Sequence, residues 1–216
     1  MHRGINSRGA RELFVRNRGY RFIIRDLGFN SGCTALCINA SWINGLLGEH
    51  GVDPVTFRKL SWQDLAEAAG TGISRRILSD LRPAGFWQMC DAVSLLHADY
   101  AGSEKGMAYR NSWFKEYPIL VEEDIYEILL DEGFSQEDAM EITLWYRQHG
   151  ESCDRSELRD MLELYDVPAD ISRILMNAAH LPSREKMIAE LMKLLKKSAS
   201  LFERKQISYR DSREVC

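Results

Sequence analysis

Eight arginines are the residues of this chain best suited to engage a ligand: Arg8, Arg11, Arg16, Arg18 and Arg21 near the start, then Arg75, Arg76 and Arg82. A guanidinium is planar, permanently charged and carries five donors, the geometry that meets a phosphate in bidentate fashion. Tyr20 and Phe22 interleave the first group and are spaced to stack on unpaired bases. The pattern predicts phosphate contacts that position a polyanion, with the rings adding stacking. The plainer reading of Arg75 and Arg76 is a solvated helix face paired with Asp80 and its neighbours.

Little else has the spacing that catalysis needs. Gly70-Thr71-Gly72 is not followed by the Gly-Lys-Ser/Thr of a phosphate-cradling loop, and no Gly-x-Ser-x-Gly, His-Glu-x-x-His or Cys-x-x-Cys occurs. His97-Ala98-Asp99 beside Ser94 and Ser103 could be written as a relay, but helix ends commonly place His and Asp as caps. His149 ahead of Gly150 reads as a cation at a helix C-terminus. Cys33 and Cys37, one helical turn apart, could share a metal with His50, although Cys-x-x-x-Cys in an apolar helix is more often packing. Glu122, Glu123 and Asp124 could act as acid/base pairs or metal ligands; in a first helical turn they instead complement the helix dipole. No catalytic residue, cofactor or metal is expected.

The elements that position these residues read as helices. Tyr20 to Ile24 is the only stretch that passes for a strand. Thr34 to Glu49 reads as a buried helix closed by Gly51 and Asp53-Pro54. Ser61-Trp62-Gln63-Asp64 has the form of a capping box. Ser74 to Leu81 is stopped by Arg82-Pro83, because the residue before proline avoids helical angles. Phe86 to Leu96 and Val121 to Glu132 follow, the latter ended by Gly133. Ser135-Gln136-Glu137-Asp138 opens a helix ending near Gly150, and Asp154-Arg155-Ser156-Glu157 opens another. Asp170 to His180 and Ser183 to about Glu203 complete the set, the last with Lys193, Lys196 and Lys197 opposite its apolar stripe. The expected class is all-α, an irregular multi-helix domain. Its expected divisions are a basic arm (1–30), a helical subdomain (31–102), a linker (103–118), a second helical subdomain (119–203) and a basic tail (204–216).

Charge follows those divisions. The net charge of −4 is made of +5 over residues 1–30, −13 over 31–183 and +4 over 184–216, so the ends are suited to a polyanion and the body is not. No stretch reaches the apolar length of a membrane span, so no membrane is expected. Seven arginines without an apolar run before residue 26 exclude a secretory signal. Five cysteines, an odd number without framework spacing, predict a reducing cytoplasm.

Residues 70–102, "GTGISRRILSDLRPAGFWQMCDAVSLLHADYAG", and 118–150, "PILVEEDIYEILLDEGFSQEDAMEITLWYRQHG", resemble the fingers region of the PolC and DnaE type α subunits of bacterial DNA polymerase III. The first has a basic helix with Arg75, Arg76 and Leu78, then Arg82-Pro83, Phe86 and a Leu95-Leu96-His97 turn. The second has a helix, a Gly-hydrophobic turn and an Ala-x-x-Ile helix. Residues 26–54 and 167–202 are weaker echoes in the same order, and the resemblance spans about 175 residues. It departs from the family at Ser183 and Glu185, which stand after Leu181-Pro182 where the family has Lys and His. The resemblance implies a fingers-like helical fold and association with single-stranded or primer-template DNA and with replication proteins in the bacterial cytoplasm. It implies no polymerisation by this chain alone, since the family's catalytic aspartates belong to a palm region that would precede it. A different resemblance sits in "LLDEGFSQEDAMEI", which looks like the helix pair of a ubiquitin-associated domain. That implies a protein-interaction adaptor with Phe134 and Ile142 as exposed anchors around Gly133.

Overall fold

Asn39, Asp53, Ser61 and Ser135 each stand where a helix must begin, and short polar side chains there satisfy amides that have no partner within the helix. In the computed structural model, the Asn39 side chain accepts from the Trp42 amide at 2.9 Å and Asp53 from the Thr56 amide at 2.9 Å. Asp64 returns to the Ser61 amide at 2.8 Å, and the Ser135 hydroxyl accepts from the Asp138 amide at 3.0 Å. The structure describes residues 21–26, 33–70, 73–96, 120–149, 155–177 and 181–214. Helices hold 76% of them, with one two-stranded sheet, so the class is all-α.

The chain forms two compact units, Met1–Ile38 with Glu116–Arg184, and Asn39–Lys115 with Glu185–Cys216. The sequence suggests consecutive subdomains over 31–102 and 119–203; the units interleave instead, because each is closed by side chains far apart in the chain. In the first unit, β1 (Arg21–Asp26) pairs antiparallel with β2 (Cys33–Ile38), Arg21 opposite Ile38 and Asp26 opposite Cys33. The helices of this unit are α6 (Glu122–Asp131), α7 (Gln136–His149), α8 (Arg155–Leu164) and α9 (Ala169–Asn177). α6 packs on β1 and α7, and α8 on α9. Its core includes Ile23, Ile125, Leu129, Ile142, Leu162 and Leu175. The second unit holds α1 (Ala40–Glu49), α2 (Pro54–Lys59), α3 (Trp62–Ala69), α4 (Ile73–Leu81), α5 (Gly85–Leu96) and all but the first residue of α10 (Arg184–Glu214). Leu47, Leu65, Leu78, Leu95, Leu191 and Leu195 are fully buried there.

Two expectations are corrected. Thr34 to Glu49 is not one buried helix: residues through Ile38 are a strand, Asn39 caps α1, and only Leu47 of α1 is buried. Pairing with the aromatic and β-branched run Phe22-Ile23-Ile24 overrides the local helical pattern. The last helix runs to Glu214, past the expected end near Glu203, so the basic tail is partly helical. Three helices share one stop. Val52, Phe134 and Val167 each donate their amide to a carbonyl five residues back, at 2.8, 3.0 and 2.9 Å, after a residue with positive φ. That is the Schellman motif, which favours glycine at the turn. Gly51 and Gly133 fill it at φ 71 and 93, but Asp166 occupies the third at φ 52.

Candidate functional site

α4 exists because its apolar residues recur every three to four positions. Ile77, Leu78 and Leu81 are buried, which leaves Arg75 and Arg76 exposed. Arg75 and Ser79 fall four residues apart, along one face of α4. The Ser79 hydroxyl donates to the Arg75 carbonyl at 2.8 Å. Arg82 is drawn out of the helix by buried Pro83 and adopts φ 46, a left-handed angle that both its side chain and the following proline disfavour. Its guanidinium carbon lies 5.8 Å from the centre of the Trp62 ring, a cation–π contact at the start of α3. Trp62 is the first residue of α3, inside the Ser61–Asp64 cap. Arg75 and Arg76 are adjacent and exposed on α4, and Arg82 is the residue that follows its end. Such a set of arginines can neutralise phosphates, and it offers an aromatic ring at one end.

α10 adds exposed cations to the same unit: Lys186, Lys193, Lys196, Lys197, Arg204 and Lys205. Lys193 pairs with Glu190 at 2.8 Å, and Lys205 with Glu67 of α3. The described residues of the second unit carry 13 Lys and Arg against 11 Asp and Glu; those of the first carry 7 against 15. The basic balance and the exposed arginines therefore occur in the same unit.

The N-terminal arginines divide differently from the sequence reading. Arg8, Arg11, Arg16 and Arg18, with Tyr20, lie outside the described residues. Arg21 does not reach a ligand: it is 8% exposed, and its Nη1 meets Glu127 Oε2 at 3.3 Å and Asp124 Oδ1 at 3.5 Å. Strand pairing next to α6 turns it inward. Phe22 is not free to stack on a base either, since its ring packs edge-on against Tyr126 at 5.4 Å.

Sequence reasoning missed the cluster that Arg21 enters. Glu122, Glu123 and Asp124 stand in the first turn of α6 as expected, and with Glu127 they are all buried, at 7%, 0%, 1% and 2% exposure. Arg184, the first residue of α10, is 1% exposed among them. Its Nη2 donates to Asp124 Oδ1 at 2.5 Å, and its Nη1 donates to Glu127 Oε1 at 2.5 Å and to the Phe22 carbonyl at 2.6 Å. Glu123 accepts the Arg184 amide at 2.7 Å and the Ile24 amide at 3.3 Å, while Glu127 also accepts the Phe22 amide at 2.9 Å. Asp124 caps its own helix by accepting the amides of Leu120 and Val121 at 2.8 and 3.1 Å. Glu122 takes Arg147 Nε at 2.5 Å. These carboxylates thus satisfy the free edge of β1 and fasten it to the start of α10.

Burial pushes the Glu123 carboxyl up to about 7, against the opposing pull of Arg184 and the donated amides. Burial lowers the Arg184 affinity for its proton, but Glu127, Asp124 and Glu123 outweigh that and hold it above the ordinary arginine range. A guanidinium so placed is a fixed cation. The arrangement is a structural lock, because every one of these carboxylates already accepts from a protein donor. The signal in the sequence was that α6 has only acids as polar groups through Glu127, on a segment otherwise made of Ile125, Tyr126, Ile128 and Leu129.

The remaining candidates resolve simply. Cys33 and Cys37 lie on β2, where four residues span ~13 Å, too far to share a metal. Among the described residues no group of His, Cys, Asp and Glu could hold a metal ion, and no helix is long and apolar enough to cross a membrane. Ser94 donates to the Cys90 carbonyl at 3.1 Å, and its supposed relay partners His97, Asp99 and Ser103 lie outside the described residues. His149 ends α7, with Nδ1 2.9 Å from the Trp145 carbonyl. Ile142, one of the two adaptor anchors, is 1% exposed, and Phe134 is half-buried. No family model, curated protein or solved structure matches this chain.

Proposed function

We propose that this chain is a noncatalytic DNA-associated protein that holds the phosphate backbone through its second unit. The observation that carries the proposal is the exposed set of Arg75, Arg76 and Arg82, with Arg82 held over Trp62. The local charge balance and the resemblance of residues 70–102 to the polymerase III α fingers support it. Single-stranded or primer-template DNA is the ligand, and the replication machinery its setting. In the first unit Arg21 and Arg184 are consumed internally by buried carboxylates. The adaptor reading is not preferred, because Ile142 is buried.

The test is fluorescence anisotropy with labelled single-stranded and primer-template DNA across a salt titration. Three arginine–phosphate contacts to a single strand predict a slope of log K against log salt near −2, at ~0.7 per contact. Arg75→Glu with Arg76→Glu should remove more than half of that slope while leaving the circular dichroism spectrum unchanged, since both side chains are exposed. Absence of binding by the wild type at low salt, or a slope unaltered in the double variant, rejects the proposal.

A further inference from the structure

The two strands of the hairpin have unequal outer edges. In an antiparallel pair, residues alternate between bonding their neighbour strand and pointing their amide and carbonyl away from it. Phe22 and Ile24 point away, because their amides go to Glu127 and Glu123, and their partners across the sheet are Cys37 and Ala35. The same alternation turns the backbone groups of Cys33, Ala35 and Cys37 outward on the opposite edge. There, among the described residues, they meet no backbone partner. One edge is sealed by buried carboxylates, and the other meets no strand among the described residues. Leu36 on this strand is 40% exposed.

An open groove of about 660 Å³ reaches that edge at Cys33 and Ala35, and its other wall is α7. Met140, Leu144 and Trp145 are half-buried in it, and Glu137 and Glu141 stand exposed one turn apart along it. Both glutamates belong to the unit whose described residues are strongly acidic. We propose that the outer edge of β2 and this groove receive an extended peptide of alternating basic and apolar residues. The peptide adds a third strand to the sheet. Its amides and carbonyls pair with Cys33, Ala35 and Cys37, its apolar side chains rest on Met140, Leu144 and Trp145, and its Lys or Arg groups meet Glu137 and Glu141. Main-chain pairing supplies affinity, and the glutamates reject acidic segments.

The probe is a labelled eight-residue peptide of alternating valine and lysine, with two controls: valine alternating with glutamate, and the parent N-methylated at every second residue. Anisotropy with the full chain should show saturable binding of the parent and none of either control. Glu137→Lys with Glu141→Lys should weaken binding at least about tenfold, a loss of ~1.4 kcal/mol. Ala35→Pro deletes an amide that the hairpin does not use, a change an edge strand tolerates, and should abolish binding with the circular dichroism preserved. If Ala35→Pro disturbs the fold, the N-methylated peptide tests the same pairing on unaltered protein. Equal binding of the N-methylated peptide overturns strand addition, equal binding of the glutamate peptide overturns the role of the rim, and no binding of the parent overturns the site.

Discussion

Replacing Arg184 by methionine keeps an unbranched stem of similar reach and deletes the charge. The loss is the two ion pairs at 2.5 Å to Asp124 and Glu127 and the bond at 2.6 Å to the Phe22 carbonyl. Asp124 and Glu127 then keep the guanidinium of Arg21, whose contacts are longer at 3.5 and 3.3 Å. Summing three charge-assisted bonds at ~1.5–3 kcal/mol overstates the effect, since Arg184 no longer has to be desolvated. Removal of one partner from a buried pair costs about 3–5 kcal/mol, and ~4 kcal/mol is the expected loss here. With a urea dependence near 2 kcal/mol per molar, the midpoint should fall by about 2 M. The deficit should shrink between pH 8 and pH 5, because Glu123 takes up a proton in that range and leaves less negative charge to balance. Adding Glu127→Gln should recover part of it. Urea titrations followed by circular dichroism decide the matter: a deficit below ~1 kcal/mol, or one independent of pH, would refute the lock assigned to Arg184.

Glu123→Gln should flatten the pH dependence of stability. The folded carboxyl titrates near 7 against 4.5 as its ordinary value, so the folded state holds the extra proton between them and wild-type stability falls as pH rises through that window. At 1.36 kcal/mol per unit the span is at most ~3 kcal/mol, read as the difference in urea midpoints of wild type and variant from pH 5 to pH 8. Asp166→Gly should stabilise the chain by about 0.5–1 kcal/mol, since a glycine at φ 52 carries no side chain to strain. A thermal midpoint that falls in this variant would show that the Asp166 side chain does more for the turn than its backbone angle costs.

The sequence by itself determined what depends on near neighbours. Ser61 with Asp64, Ser135 with Asp138, Gly133 after α6 and Pro83 after Arg82 act within one turn of helix, so helix starts and stops were legible, and with them the all-α class. The same locality made Arg75 and Arg76 readable as an exposed pair, because Ile77, Leu78 and Leu81 occupy the buried face of that helix. Only the tertiary structure decided the fate of Arg21, Phe22, Glu123, Glu127 and Arg184. Nothing near Arg21 distinguishes it from Arg18; its partner Glu127 is 106 residues away. Arg184 reaches Phe22 across 162 residues. The strand over Cys33–Ile38 was lost to the helical pattern for the same reason, as its pairing with β1 and the carboxylates beyond it lie outside any local window. Charge marks a side chain as needing a partner, but burial decides whether that partner is water or another charge. Burial is fixed only when distant segments meet.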